Sequence, residues 1–499
     1  MTVMTVMKKN RVLRLCLAAA LALGGCAKTD TAPDLKEIRF GIATEPRTLD
    51  PLSPSNTADG RSILFNVFEG LVKPAPDGSL VPAVAQSFTV SEEGLVYEFT
   101  LRAGLTFHDG SPVTPEDAVF SLQTAADAQF NGLNRIALVE TTPQKTVRVT
   151  LKEPDREFLP YLTVGITPRG NADREKNPVG TGPFMIAAYE TQRSLVLRKN
   201  PRYRQEGLPY LDKVTYVFMP DSDAQLLALQ GGSIDSAAIT GSLVEQLDRT
   251  AFDTPSHHSG AVQLVALNNR EPPLNDLRVR QAISYGVDTK EIIDAAFYGR
   301  GEPSGSPLIP GLREYYEPGL GYPTDRGKAR ALLAEAGYAD GFPLEITLAS
   351  NYRMHINTGE VLINQLAELG IAATIKLVDW GTWLSEVYYG RNYQATIISL
   401  DAPAVSPRAF LERYRSGAES NFINFESPRF DGIYRAVLEE AGEDRRIALY
   451  KQAQRVLVEE AASVYIQDIE EFVPFPKGKF SGLADYPLYV VDFSTVRRN

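Results

Sequence analysis

His108 and Asp109 stand side by side in the stretch LRAGLTFHDGSPVTPEDAVFSL (Leu101–Leu122), with Glu116 and Asp117 shortly after. An imidazole beside a carboxylate is a pairing that general acid–base catalysis uses. His257 and His258 are adjacent in DTPSHHSGA, and two imidazoles can ligate a metal. The fourth histidine, His355, stands alone. The chain contains no H-E-x-x-H, no G-x-S-x-G elbow, no phosphate loop of the G-x-x-x-x-G-K-[ST] kind and no G-x-G-x-x-G. PVGTGPF (Pro178–Phe184) comes nearest to a phosphate cradle, but neither a lysine nor a helix follows, so it reads as a buried tight turn. Catalysis by dispersed carboxylates leaves no motif of its own.

The elements around His108 account for its polar neighbours. Val96 to Arg102 alternates as a strand, and Asp109-Gly110 marks a turn. Thr114 at N-cap, Pro115 at N1 and Asp117 at N3 form a capping box, with Glu116 and Asp117 favoured by the positive helix end. The helix that follows buries Val119, Leu122 and Ala126. His108, Asp109, Glu116 and Asp117 are therefore read as structural, and DTPSHHSGA as a surface loop. An enzyme is disfavoured, no metal set is assigned and no cofactor is expected.

At 499 residues the chain predicts two or three domains. Hydrophobic content of 43% and charged content of 23% suit a soluble globular protein with a sizeable core. The net charge of −11 argues against nucleic-acid binding, which needs basic patches. Lys8, Lys9, Arg11 and Arg14 precede an apolar run from Leu15 to Leu23, the pattern of an export signal too short to span a bilayer. Leu23-Gly24-Gly25-Cys26 resembles a bacterial lipobox. The resemblance implies cleavage before Cys26, residues 1–25 as the signal peptide and lipidation of Cys26, so that the protein is anchored to a membrane in the periplasm or cell envelope. Ala27 in place of Asp is compatible with outer-membrane sorting, and the leaflet stays open. Cys16 leaves with the signal, so no thiol is free for a disulfide, a zinc site or a nucleophile. Residues 26–36 read as a flexible tether.

Strand signals recur at Leu95–Arg102, Thr146–Lys152, Phe184–Tyr189, Ser194–Arg198, Val214–Met219, Val262–Asn268, Leu344–Ser350, Ala372–Val378 and Ala395–Ser399. Between them lie helices. Asp325 caps RGKARALLAEAG, which Gly337 stops, and TGEVLINQLAELG repeats the design up to Gly370. Helix, glycine, strand is the rhythm of α/β domains.

Six stretches occur in an order that carries a resemblance. They are RFGIATEPRTLDP (Arg39–Pro51), YEFTLRAGLTFHDGSPVTPEDAVFS (Tyr97–Ser121), NPVGTGPFMI (Asn177–Ile186), NPRYRQEGLPYLDKVTYVFMPDSDAQLLALQGGSID (Asn200–Asp235), VALNNREPPLNDLRVRQAISYGVDTKEII (Val265–Ile293) and ARALLAEAGYADGFPLEITL (Ala329–Leu348). Over residues 37 to about 475 the chain resembles family 5 of the extracellular solute-binding proteins, the dipeptide-, oligopeptide- and nickel-type receptors of ABC importers. The resemblance implies a two-lobed α/β periplasmic-binding-protein fold (type II, cluster C) with an extra inserted subdomain. It places domain I at 37–68, 185–268 and 474–499, the insertion at 69–184 and domain II at 269–473. One crossover between lobes is expected at Leu267–Asn269. A ligand enclosed by hinge closure, a monomer, and an ABC permease and ATPase complex as partner are implied with it.

Peptide receptors of the family commonly hold the ligand's amino group with an Asp in W-x-G-D-x-x-D-P. The matching segment here is SLDAPAVSPRAFL, Ser399–Leu411, in which Leu400 replaces the Trp, Pro403 the anchoring Asp and Ser406 the second Asp. Asp401 is either a substitute anchor or the cap of a loop. The resemblance also puts Asp379, Trp380, Trp383 and Tyr388 near the ligand, Thr44 and Glu45 on a loop facing the cleft, and Asn268 and Asn269 at a strand end there. Arg353 either takes a ligand carboxylate or is solvated. The expected ligand is a small peptide or peptide-like solute. Oligosaccharide, opine or metal chelate is the alternative, and an envelope assembly or chaperone-like lipoprotein a third reading.

Overall fold

Alternation in EIRFGI buries Ile38, Phe40 and Ile42, and this first strand, Glu37–Ile42, becomes the second strand of a five-stranded sheet centred on Lys213–Phe218. It runs parallel to Lys213–Phe218 on one side and to Ser236–Ala237 on the other; Ser194–Lys199 and Phe184–Glu190 continue the sheet antiparallel. Phe40, Tyr216 and Phe493 meet edge to face at 5.3–6.2 Å. Phe493 brings the C-terminal segment back into this first lobe. The computed structural model describes residues 35–130, 132–402 and 406–499; the lipobox at Cys26, most of the tether and Pro403 lie outside the described residues.

An insertion carries a four-stranded antiparallel sheet in the order Ala85–Val90, Val96–Leu101, Val147–Leu151, Ile136–Thr141. Helix Pro115–Asp127 packs against it with Ala118, Leu122, Ala125 and Ala126 buried. The capping box forms: Asp117 Oδ2 accepts from Thr114 N at 2.9 Å. His108 is buried and bonded to the glycine turn, with Nδ1 accepting from Gly180 N at 3.2 Å and Nε2 3.1 Å from Gly182 O. That turn needs its glycines, because a Cβ on Gly182 would come within 2.6 Å of the Val67 backbone.

The second lobe is built on a mixed sheet ordered Ile239–Thr240, Ser463–Phe472, Ser256–Leu267, Ala395–Asp401, Pro343–Ala349, Ala372–Val378. In Ser256–Leu267, Val262, Leu264 and Ala266 face the core under helices Pro428–Glu439 and Glu443–Glu459. Val265 and Leu267 face the core under helices Leu277–Gly286 and Arg353–Ala367. A strand covered by helices on both faces reads as a continuous apolar run. This strand pairs along its length inside the second sheet, so the chain does not change lobes at Leu267–Asn269. It passes earlier, at Ala238, between Ser236–Ala237 of the first sheet and Ile239–Thr240 of the second. It returns at Val473, whose side chain joins the first lobe's core. His257 and His258, expected in a surface loop, belong to the strand, because their backbones continue its ladder to Glu471 and Glu470.

Candidate binding cleft

A cavity of about 850 Å³ lies between the two lobes, within the range of roughly 300–1,000 Å³ typical of small-molecule sites. The first lobe supplies the exit of strand Glu37–Ile42 and the start of helix Ala58–Phe65. Thr57 caps that helix by accepting from Gly60 N at 3.1 Å, and this presents Asp59 and Arg61 to the cavity. The second lobe supplies the start of helix Arg353–Ala367, the π-helical turn Trp383–Tyr389 and the end of strand Ala395–Asp401. Glu471 reaches the cavity from the strand that joins the lobes, and Tyr489 from the C-terminal segment.

Aromatic rings form one wall. Trp380 and Trp383 stack at 5.0 Å with 7° between planes, and Tyr352 meets Trp380 edge-on at 5.3 Å. Trp383 is fixed from behind, its Nε1 donating to Thr396 Oγ1 at 3.0 Å. Trp380 is half-buried and its Nε1 has no hydrogen-bond partner among the described residues. Ser399 Oγ, Asn56 Oδ1 and Glu471 Oε2, all on cavity-lining residues, are buried without partners in the same way. Arg413 Nε is a fifth. Buried polar atoms are normally satisfied, so five unpaired ones around one cavity are groups suited to a polar guest.

The charges are unevenly distributed. Asp401 is ion-paired to Arg61, and its backbone oxygen accepts from Arg413 Nη2 at 2.7 Å. Arg47 and Arg353 are exposed at the cavity and form no ion pair among the described residues. Asp59 and Glu471 are 7% and 8% exposed. Asp59 accepts from Thr44 N at 2.8 Å and from the Tyr489 hydroxyl at 2.7 Å. Burial nevertheless raises its pKa against these bonds. Burial, with the Asp59 and Asp468 charges nearby, pushes the Glu471 carboxyl up to about 8. His257 Nε2 is 3.7 Å from Glu471 Oε2, and burial holds that imidazole down at about 4. His355 bonds inward to Gln263 at 3.2 Å, and burial lowers it to about 3.

The structure brings Thr44, Arg353, Trp380, Trp383, Tyr388 and Asp401 to one cavity. It places the other four residues singled out in the sequence elsewhere. Glu45 turns to the first sheet, accepting from the Tyr189 hydroxyl at 2.6 Å and from Gln192 N at 3.0 Å. Asn268 is fully buried and braces a loop, donating to Tyr393 O at 2.8 Å and accepting from Asn424 at 2.8 Å. Asn269 donates to Leu267 O at 2.8 Å and Ala462 O at 3.1 Å. Asp379 is an exposed N-cap, accepting from Thr382 N at 3.0 Å. Sequence reasoning missed Asp59, Arg61, Glu471 and Tyr489. Asp59 reads as an acid in a helix's first turn and Glu471 as one position of an ordinary strand, so neither carries a signal of its own.

Residues 79–422 match the family model of the bacterial extracellular solute-binding proteins, family 5 (middle part). The chain is 26% identical to the glutathione-binding protein GsiB of Salmonella choleraesuis (strain SC-B67), over 93% of this chain and 97% of that protein. It is 27% identical to the periplasmic binding protein AgaA of A. tumefaciens R10, solved with agropinic acid, with TM-score 0.83 over 93% of this chain and 99% of the other. The Helicobacter pylori protein DppA, solved with the peptide STSA, shares the fold at TM-score 0.84 and 24% identity, over 93% of this chain and 98% of the other.

Proposed function

Because the chain belongs to family 5 of the bacterial extracellular solute-binding proteins, we propose that it captures a peptide or peptide-like solute by closing its two lobes, and that a lipid on Cys26 holds it at a membrane. It is a substrate-binding protein of an ABC importer for peptides or related solutes, it acts in the periplasm, and it is not an enzyme. Among the described residues no helix is long and apolar enough to cross a membrane.

The observation that carries the reading is the inter-lobe cavity of about 850 Å³, with an aromatic wall and unpaired polar atoms around one space. Stacked indoles receive apolar side chains, and a free indole N–H and a hydroxyl suit a peptide carbonyl and amide. Closure is a shift toward a state that binds the solute better. The waist at Ala238 and Val473 is where the lobes would rotate, with residues 69–184 moving as part of the first. The working unit is a monomer that delivers solute to the permease and ATPase. An opine is the second reading, favoured by the 27% identity to AgaA.

Native mass spectrometry of freshly purified protein tests both readings. A retained mass that fragments as a peptide supports the first, and a sugar–amino acid conjugate the second. Turnover of a retained solute into a new product overturns both.

A further inference from the structure

Asp401 lies beside the position expected of the amine anchor, but its carboxylate is already ion-paired to Arg61. Of the other carboxylates at the same cavity, Asp223 and Glu360 are exposed, and the two buried ones have no cation paired to them among the described residues. Glu471 is 8% exposed, Asp59 is 7% exposed, and Glu471 Oε2 has no hydrogen-bond partner. Tyr489 stands by both, its hydroxyl donating to Asp59 Oδ1 at 2.7 Å. Resting on the reading that this cavity takes a small solute, we propose that Asp59, Glu471 and Tyr489 form a subsite for a compact organic cation, an ammonium group of the ligand, and that Glu471 rather than Asp401 is its main partner.

An ammonium carries three donors and no acceptor. The subsite offers the free Glu471 oxygen, the remaining lone pairs of Asp59 and the Tyr489 oxygen. An anion would meet two buried carboxylates there, and an apolar group would leave them unpaired at a cost. Position gives the contact a second consequence. Glu471 sits in the strand pairing that joins the lobes, opposite Thr240 and His257. A cation bound on it is therefore bound at the waist.

The groups facing Glu471 are Asp59 from helix Ala58–Phe65, His257 from the neighbouring strand, Asp468 from its own strand and Tyr489 from the C-terminal segment. Burial holds the empty Glu471 carboxyl up at about 8 and keeps His257 neutral above about 4. Glu471 is therefore protonated at pH 7 before the guest arrives. An ammonium favours the ionised carboxylate, so binding expels that proton and affinity rises with pH up to about 8, by at most tenfold per unit.

The probes are a tripeptide library with free amino termini and the same library N-acetylated, titrated calorimetrically in two buffers of different ionisation heat. Acetylation is expected to weaken binding at least tenfold. Glu471→Gln should weaken the free-amine peptides at least tenfold, more than Asp401→Asn does, and should abolish proton release; its melting temperature checks that it folds. Equal binding of both libraries, or proton release that persists in Glu471→Gln, overturns the subsite and leaves peptide capture standing. Binding of neither library overturns both.

Discussion

Arg135 Nη2 donates to Glu412 Oε1 at 2.6 Å, tying the inserted subdomain to the second lobe. Beside it Arg408 pairs with Asp155, and Arg446 Nε lies 3.2 Å from Glu157 Oε1, with the Tyr450 hydroxyl on the same carboxylate. The Arg408 and Asp155 side chains are 4% and 6% exposed. These groups span the contact between the insertion and the second lobe, so parting the lobes there would expose them to water.

Asp155→Ala leaves Arg408 buried without its partner, a change that costs about 3–5 kcal/mol in such pairs. Opening the cleft returns Arg408 to water and relieves that cost. The variant is expected to show a larger radius of gyration in solution scattering without ligand, and weaker solute binding. A scattering profile identical to that of the unmodified protein removes the cluster's role in closure.

The chain has two tryptophans, and both line the cavity as a stacked pair. Solute entering against Trp380 replaces water at its exposed edge, so intrinsic fluorescence should change on binding with no added label. Trp380→Ala removes the wall's outer layer. Its expected cost is at least about 1–2 kcal/mol in affinity, as for a buried aromatic contact at an interface, with little loss of melting temperature because the ring is half-buried. Unaltered affinity in a folded variant shows that the guest does not touch this wall.

The strands and helices were legible because burial imposes a period. Ala372–Val378 falls where its β-formers do, and the Asp325-capped helix is Arg326–Glu335. Ser256–Leu267 runs further than its apolar core suggested, because the ladder extends over His257 and His258, which carry no apolar signal. The cavity was legible where large aromatic residues cluster locally, at Trp380, Trp383 and Tyr388, and at Thr44, Arg353 and Asp401 singled out beside them. Asp59, Glu471 and Tyr489 are brought together by a fold that passes twice between lobes, and no local spacing records a contact across several hundred residues. Asn268 and Asn269 looked like cleft residues because they end a strand. Their amides instead satisfy the backbone carbonyls of Tyr393 and Ala462.

Acid should destabilise the fold through its histidines. Burial holds His108 and His257 down at about 4 and His355 at about 3, against about 6.5 in an unfolded chain. The unfolded state takes up protons first as pH falls. Stability is therefore complete above about 6.5 and is lost toward pH 4, by up to about 1.4 kcal/mol per pH unit for each histidine. Glu471 opposes this: raised to about 8, it favours the folded state below about 4.5 and loses that contribution as pH rises toward 8. Denaturant midpoints from pH 7 to 4.5 should show the acid slope reduced by about one proton in His355→Gln. An undiminished slope would mean that His355 takes up its proton in the folded protein too.

Membrane attachment separates from solute capture in one substitution. A single acyl chain gives only marginal binding at about 0.8 kcal/mol per buried methylene, and stable anchoring takes more than one. If Cys26 carries the lipid, Cys26→Ser removes every chain at once. The variant is expected in the soluble envelope fraction while the unmodified protein sediments with membranes, and both should bind solute with the same affinity, because the cavity is built from residues 43–489. Membrane association that survives Cys26→Ser would assign the anchor to another part of the protein.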